Sequence, residues 1–477
     1  MIARGSRRKV AVVVALVAVA AIAVAAVGGA LWRSTSRDNH SSVSASPWAT
    51  SSAAVGTPKP TPRPTVLAGQ PWRQLYWEQP IPATEPWFHE ADCRNPPGPA
   101  GVIPSGMPSA WTRFRGKIVA LAADTRTGQL MVAASDDWIH WVTLVPSDKL
   151  PFADQSLLAL TATPDALVVL TQEWGYQAIH VWTSANGLSW SSEDSAVFKD
   201  GLVAGVTSGP AGIVAVGGVR RPSTIDRLTK FDDDASAWFS RNGSDWQRVE
   251  LPGGSTPYED GAVGVVALSN GFAVVGGTGF YQQVVYSPSD GAILNTDGPF
   301  FGDAIAWYSA DGLHWQQASV DGNDKGAGQI QGLFEADGGL VATGTLDYGD
   351  DSADAIWTSS DGLRWKVAVD WRQAPPGPQP NYWPPLTVWP TYPGAAVYGD
   401  GHRLMAYPRS DIGPGASAFM ESIDGASWHV VEATGPGLAA PIDNSDAQPP
   451  ILVTPDGLLV FGDIDCRPVV ERMAAVP

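Results

Sequence analysis

The chain is poor in the residues that most metal, redox and nucleic-acid chemistry requires. It has two cysteines and seven histidines in 477 residues. Two cysteines permit one disulfide and no thiolate cluster. The run His89-Glu90-Ala91-Asp92-Cys93 holds a single histidine, too few nitrogen and sulfur donors for a zinc site. Basic residues are also scarce, at 30 Lys and Arg against 48 Asp and Glu. Six of the 30 (Arg4, Arg7, Arg8, Lys9, Arg33, Arg37) fall within residues 1–37, which hold no acid. The remainder therefore carries 24 basic against 48 acidic residues, a net of −24. So acidic a body argues against nucleic acid as a partner, because phosphate is neutralised by basic patches. Gly-x-Ser-x-Gly and His-Glu-x-x-His are both missing, so neither a nucleophile elbow nor a zincin helix is expected. The run Asp321-Gly-Asn-Asp-Lys-Gly326 opens like a calcium loop. It fails at its fifth position, Lys325, and at its twelfth, Gly332, where a glutamate is needed.

Long apolar runs are scarce too, and the exception is terminal. Val10 to Trp32 is an uninterrupted apolar and small-residue stretch of 23 residues. At 1.5 Å per residue it reaches about 34 Å, enough to cross a hydrocarbon core of ~30 Å. Arg4, Arg7, Arg8 and Lys9 flank it on the N-terminal side, which keeps residues 1–9 cytoplasmic and places the body outside. The expected form is a retained signal anchor over 10–32. The alternative is a secreted protein cleaved near Gly28-Gly29-Ala30. Residues 33–70 are Ser, Thr, Pro and Ala with little to bury, and read as a disordered stalk.

What the body does have is a repeated phrase, Ser-x-[Asp/Asn]-Gly-x-x-Trp. Its residues are Ser184, Asn186 and Trp190; Ser240, Asn242 and Trp246; Ser309, Asp311 and Trp315; Ser359, Asp361 and Trp365; Ser422, Asp424 and Trp428. A worn copy runs Ser135 to Trp141, with Trp138 in the glycine's place. Upstream of each phrase lies an apolar strand opened by glycine, such as Gly212-Ile-Val-Ala-Val or Gly271-Phe-Ala-Val-Val, with Ala166 in that slot in one unit. Counting such strands gives seven units. Asp-Gly and Asn-Gly are strong hairpin signals, and each unit reads as four antiparallel strands. The fold class expected for 71–477 is therefore all-β, a β-propeller of about seven four-stranded blades, preceded by one transmembrane helix and the Pro/Ser/Thr linker. The final unit lacks the phrase and needs a closing strand. Trp72-Arg-Gln-Leu-Tyr-Trp77 can supply it, leaving no open edge. Cys93 and Cys466, near the two ends of the body, are expected to form a disulfide in an oxidising compartment.

The phrase resembles the Asp-box of sialidases and related propellers, in a form one residue shorter between Asp and Gly. The resemblance implies a propeller fold in which the box is a structural turn between the third and fourth strands. It does not imply one activity, since such propellers include glycosidases, receptors of the sortilin kind and assembly factors. A sialidase also needs three arginines, a Tyr–Glu pair and an acid Asp, and its first arginine sits in Arg-Ile-Pro. No Arg-Ile-Pro occurs here. Arg113 and Arg115 are followed by Phe114 and Gly116.

Two other features are singled out. Acidic stretches at Asp232, Asp233 and Asp234, and at Asp347, Asp350, Asp351 and Asp354, read as solvated faces, with a bound Ca2+ as the alternative and no other cofactor expected. The aromatic, proline-rich loop 371–393 offers Trp371, Tyr382, Trp383, Trp389 and Tyr392 as a candidate ligand-binding rim. The reading that follows is a bacterial, membrane-anchored extracytoplasmic module, non-catalytic, binding an envelope glycan or protein. The alternative is a sialidase-like glycoside hydrolase.

Overall fold

A computed structural model of the chain describes residue 72, residues 74–77 and 81–87, and most of 108–476. Within that last span the undescribed residues are 125, 174–177, 223–230, 256–258, 281–283, 287–292, 297–301, 324–326, 348–351, 371–396, 400, 407–417, 435–450, 455–456 and 465–466. The anchor segment, the stalk, Cys93, Cys466 and the five rim aromatics all lie outside the described residues. Among the described residues no helix is long and apolar enough to cross a membrane.

The described chain is all β apart from two single 3-10 turns, Ser147–Lys149 and Ala196–Phe198. Five sheets follow one another as meanders, at 110–145, 156–193, 201–250, 259–317 and 327–370. The third is representative. Its strands are Gly201–Gly209, Gly212–Pro222, Phe231–Ser240 and Trp246–Glu250, paired antiparallel in that order. Second strands are buried on both faces, as in Leu167–Gln172, which explains their continuous apolar sequence.

The sixth sheet has nine strands and corrects the expected blade count. The propeller has six blades rather than seven separate ones. The strand Gln74–Trp77 does close the last unit, pairing antiparallel with Arg467–Val476. It also pairs in parallel with His429–Thr434 of the unit before. That second ladder joins two four-stranded meanders, 397–434 and 451–476 with 74–77, into one sheet.

The core lies in the seams between sheets. Val214, Val216, Ala237 and Phe239 of the third sheet pack with Phe272, Val274 and Trp307 of the fourth. Trp238, Trp307 and Trp357, each on a third strand, are fully buried. Their indole N–H groups donate to the carbonyls of Val197, Pro252 and Asp321, at 3.0, 2.8 and 2.8 Å. Those carbonyls sit in the connections entering each blade. One ring thus fills a seam and satisfies a backbone acceptor in the connection beside it.

Candidate functional site: the axial wall and the closing seam

The repeat turns are closed hydrogen-bond units. In the copy at 309–315, the Ser309 hydroxyl donates to Asp311 Oδ1 and accepts from the Gly312 N–H, at 3.1 and 2.9 Å. Asp311 Oδ1 accepts from the Leu313 and His314 amides, at 2.9 and 2.8 Å. The Trp315 indole donates to the Gly312 carbonyl at 3.0 Å. Gly312 has φ +78°, and a Cβ there would lie 2.3 Å from Phe239 of the preceding blade. Glycine is therefore required both by conformation and by the seam. With His314 Nδ1 2.7 Å away and the two amides on it, the Asp311 carboxyl is held far below the usual carboxylate range. For Asp361, burial raises the carboxyl, but the Leu363 and Arg364 amides and the Arg364 guanidinium outweigh it and bring it to about 2. The same hydrogen bonds that fix the turns thus commit their carboxylates to structure.

The axis is formed by first strands: Ala110–Phe114, Ser156–Ala162, Gly201–Gly209, Glu259–Leu268, Ala327–Ala336, Val397–Gly399 and Ile451–Thr454. Each is the terminal strand of its meander, with one ladder partner. Successive first strands from 110 to 454 pack side by side without pairing. Four consecutive ones carry the same irregularity. The register slips between Leu157 and Ala159, Val203 and Gly205, Ala262 and Gly264, and Ile330 and Gly332. Each slip leaves one residue out of the ladder: Leu158, Ala204, Val263 or Gln331. The bulge drives a carbonyl toward the second strand. A Cβ on Gly217, Gly276 or Gly344 would lie 1.8, 2.0 or 2.0 Å from the oxygen of Leu202, Gly261 or Gln329. That close approach accounts for glycine after the apolar run in these three second strands; in Leu167–Gln172 the equivalent position is Thr171.

Charge is nearly absent from this wall. Residues 156–162, 201–209 and 261–268 contain no ionisable side chain. Arg113 is the one arginine on the described first strands, and Arg113, Glu259, Asp260 and Glu335 all stand near strand ends. The Glu335 carboxyl is raised by burial, against the pull of nearby His402.

The seam between the first and last blades differs from the others. Trp87, Trp138 and Trp141 pack there with Leu452, Leu459, Phe461 and Val470. Trp138, in the worn repeat, has φ +70°. Its ring meets Trp111 edge-on at 4.6 Å and Phe461 at 6.3 Å. Trp111, on the first inner strand, is 37% exposed.

A second buried cluster pins the N-terminal strand. Glu421 is fully buried and accepts from Arg403 Nη1 at 2.5 Å and from the Trp72 amide at 2.7 Å. His429 Nε2 lies 3.0 Å from the same carboxylate. The Arg403 guanidinium sits 4.3 Å over the Trp72 ring. Burial raises the Glu421 carboxyl, opposed by the Trp72 amide, Arg403 and His429. Sequence inspection missed this cluster, because its members are up to 357 residues apart and share no pattern.

Of the acidic candidates, Asp233 and Asp234 lie on an extended hairpin opposite Arg220 and Arg221, at 3.9 and 2.7 Å. Asp232, Asp347 and Asp354 lie on strands. Asp350 and Asp351 are outside the described residues. Among the described residues no group of three or more His, Cys, Asp or Glu is gathered as a metal-donor set.

No protein-family model matches the chain, and no curated protein matches it. Solved β-propeller proteins do, glycoside hydrolase propellers among them, and the likeness is one of fold alone. YCF48 bound to D1 peptide is 11% identical, covering 84% of this chain and 97% of that one, with a TM-score of 0.39. The β-propeller domain of Cps50 (Swd1) from Myceliophteria thermophila is 11% identical over 78% of this chain and 98% of its own, with a TM-score of 0.39. The GH74 xyloglucanase from Xanthomonas campestris is 16% identical over 85% of this chain and 55% of its own, with a TM-score of 0.38.

Proposed function

We propose that this chain is a membrane-anchored, extracytoplasmic propeller that binds an envelope glycan or protein without catalysing its conversion. The uncharged axial wall is the observation that supports this most. Hydrolysis of a glycosidic bond uses two carboxyl groups flanking the scissile bond in most glycosidases, and a Tyr–Glu pair with an acid Asp in sialidases. Among the described residues, the carboxyls with shifted proton affinity are engaged in repeat turns (Asp137, Asp311, Asp361, Asp424), in the N-terminal cluster (Glu421), or at a strand end (Glu335). Trp111 offers exposed aromatic surface instead, and the sequence of 371–393 holds five further aromatics as the candidate rim. The repeat turn, in this reading an Asp-box, is structural, and the disulfide Cys93–Cys466 would reinforce ring closure.

The test is binding of the full-length protein to an array of envelope polysaccharides, sialosides and other glycans, with Trp383→Ala alongside. A hit lost in Trp383→Ala places a carbohydrate site on the rim. Release of free sugar from any arrayed glycan would overturn the non-catalytic reading in favour of a glycoside hydrolase.

A further inference from the structure

We propose that a pocket on the third blade, between its entering connection and its fourth strand, binds a carboxylate-bearing sugar, a uronic acid residue of an acidic glycan. This rests on the reading of the chain as a binding module, but on residues other than the rim.

The repeat supplies its own comparison. In the third, fourth and fifth blades the buried third-strand tryptophan donates to a carbonyl of the entering connection: Val197, Pro252 or Asp321. The fourth-strand residue paired directly opposite that tryptophan is Arg248, Gln317 or Val367. In the fourth and fifth blades a glycine follows the accepting carbonyl and lies against that side chain. A Cβ on Gly253 would stand 2.7 Å from Gln317 Oε1, and one on Gly322 would stand 3.0 Å from Val367 Cγ2. In the third blade Phe198 takes the glycine's place. It is buried, stacked on Trp238 at 5.2 Å and edge-on to Trp246 at 5.3 Å. Between this connection and the fourth strand lies a cavity of about 540 Å³, lined by Ala196, Val197, Lys199, Asp200 and Arg248. Ligand clefts run from about 300 to 1,000 Å³.

The backbone of the lining is held in place. The Phe198 and Lys199 amides donate to the Ser195 and Ala196 carbonyls, at 2.9 and 3.2 Å. Asp200 has a left-handed φ of +60°, and its carbonyl accepts from the Arg220 amide at 2.8 Å. Lys199 and Arg248 are exposed, and among the described residues neither has a carboxylate within ion-pair distance. Two unpaired cations thus face one cleft in a body that carries 24 basic against 48 acidic residues after residue 37. Such a cleft draws in an anion. Arg248 can take a carboxylate as a fork, and Lys199 adds a point charge. Asp200 asks for the opposite partner, since a carboxylate accepts from hydroxyls and repels a dianionic phosphate. One carboxylate beside several hydroxyls is the chemistry of a uronic acid. An acidic peptide brings carboxylates without the hydroxyls.

The probe is tetragalacturonic acid, titrated calorimetrically into the full-length protein. Its counterparts are the fully methyl-esterified tetramer, which is neutral, and tetraglutamate. The expected result is saturable 1:1 binding of the tetrauronate, weakened about tenfold or more by Arg248→Gln or Lys199→Gln, and about tenfold weaker for the ester and for tetraglutamate. Arg248→Gln installs the residue that the fourth blade carries at this place, and an unchanged melting temperature shows that the variant folds. Trp383→Ala should leave tetrauronate binding unchanged. Glycan-array hits that survive Arg248→Gln, with no tetrauronate binding, would sink this pocket and leave the binding-module reading standing. Three results would each overturn the proposal: no saturable binding up to about 1 mM, binding of the ester or of tetraglutamate equal to that of the acid, or tetrauronate binding indifferent to both Gln variants.

Discussion

Two glycines on either side of one bulge should respond oppositely to the same added methyl group. At Gly217, on the second strand of the third blade, a Cβ would sit 1.8 Å from the Leu202 oxygen and 2.9 Å from its carbonyl carbon. A carbon–oxygen contact needs about 3.3 Å, so the carbonyl would have to retreat by roughly 1.5 Å. Both atoms belong to backbone in a ladder, where the paired residues are Val203 with Gly217 and Gly205 with Val216. The retreat flattens the bulge and breaks or lengthens one or two ladder bonds, each worth about 1 kcal/mol. Overpacking strain adds about 1–3 kcal/mol. Gly217→Ala should therefore destabilise the blade by about 3 kcal/mol. At Gly205 the nearest atoms to a Cβ are Val265 Cγ1 at 3.7 Å and Val216 Cγ2 at 3.9 Å, which is ordinary contact. Gly205→Ala should be neutral or slightly stabilising, by up to about 1 kcal/mol, since alanine has less conformational freedom to lose on folding. Differential scanning calorimetry of the two variants with wild type measures the contrast. Hydrogen exchange over residues 201–222 then locates it. Equal melting temperatures for the two variants would refute the bulge as the reason for glycine at 217.

Two further outcomes follow from the charged clusters. The Asp361 carboxyl titrates at about 2 in the fold against an ordinary 3.8, so between those values the folded chain binds fewer protons than the unfolded one. Its contribution is fully present above about pH 4 and is lost as pH falls through about 2. Asp311 acts in the same direction, so Asp311→Asn combined with Asp361→Asn should flatten the acid limb of a melting-temperature profile, and an unchanged limb would contradict this. Glu421→Gln strands the Arg403 guanidinium in a buried site and weakens the hold on Trp72. It should destabilise by about 3–5 kcal/mol and speed hydrogen exchange of residues 74–77, whereas wild-type exchange there would show that the cluster does not pin the N-terminal strand.

Much of the architecture was legible because local chemistry repeats. Each Asn-Gly or Asp-Gly turn carries its own hydrogen bonds within seven residues, and each second strand announces its burial by an unbroken apolar run. The strand Gln74–Trp77 was legible by elimination, since the last meander lacked a partner. The blade count was not. Parallel pairing of Gln74–Trp77 with His429–Thr434 depends on where two distant segments meet, and nothing local encodes it. The bulges left a trace, the glycine doublets at 217–218 and 276–277. The trace becomes interpretable only with the cross-strand register, because the intruding carbonyl belongs to another strand. The Arg403–Glu421 pair left none. Its members look like two ordinary surface charges until Trp72 arrives from the other end of the chain.

The worn repeat shows how one departure from a pattern can be set by its place in the ring. At a left-handed φ of +70°, Trp138 costs about 1–2 kcal/mol relative to glycine. Elsewhere the glycine is held in place by the preceding blade, as Phe239 does to Gly312. The first blade has no predecessor in the chain. Its neighbour across that seam is the last meander, which reaches it only through ring closure. A ring can fit there, against Phe461 and Trp141 and beneath Trp111. Trp138 is 6% exposed, and burying most of ~200 Å² of indole yields a gross gain of roughly 5 kcal/mol, which exceeds the backbone cost. At this one turn the closing seam places a ring where the internal seams place a glycine against the preceding blade.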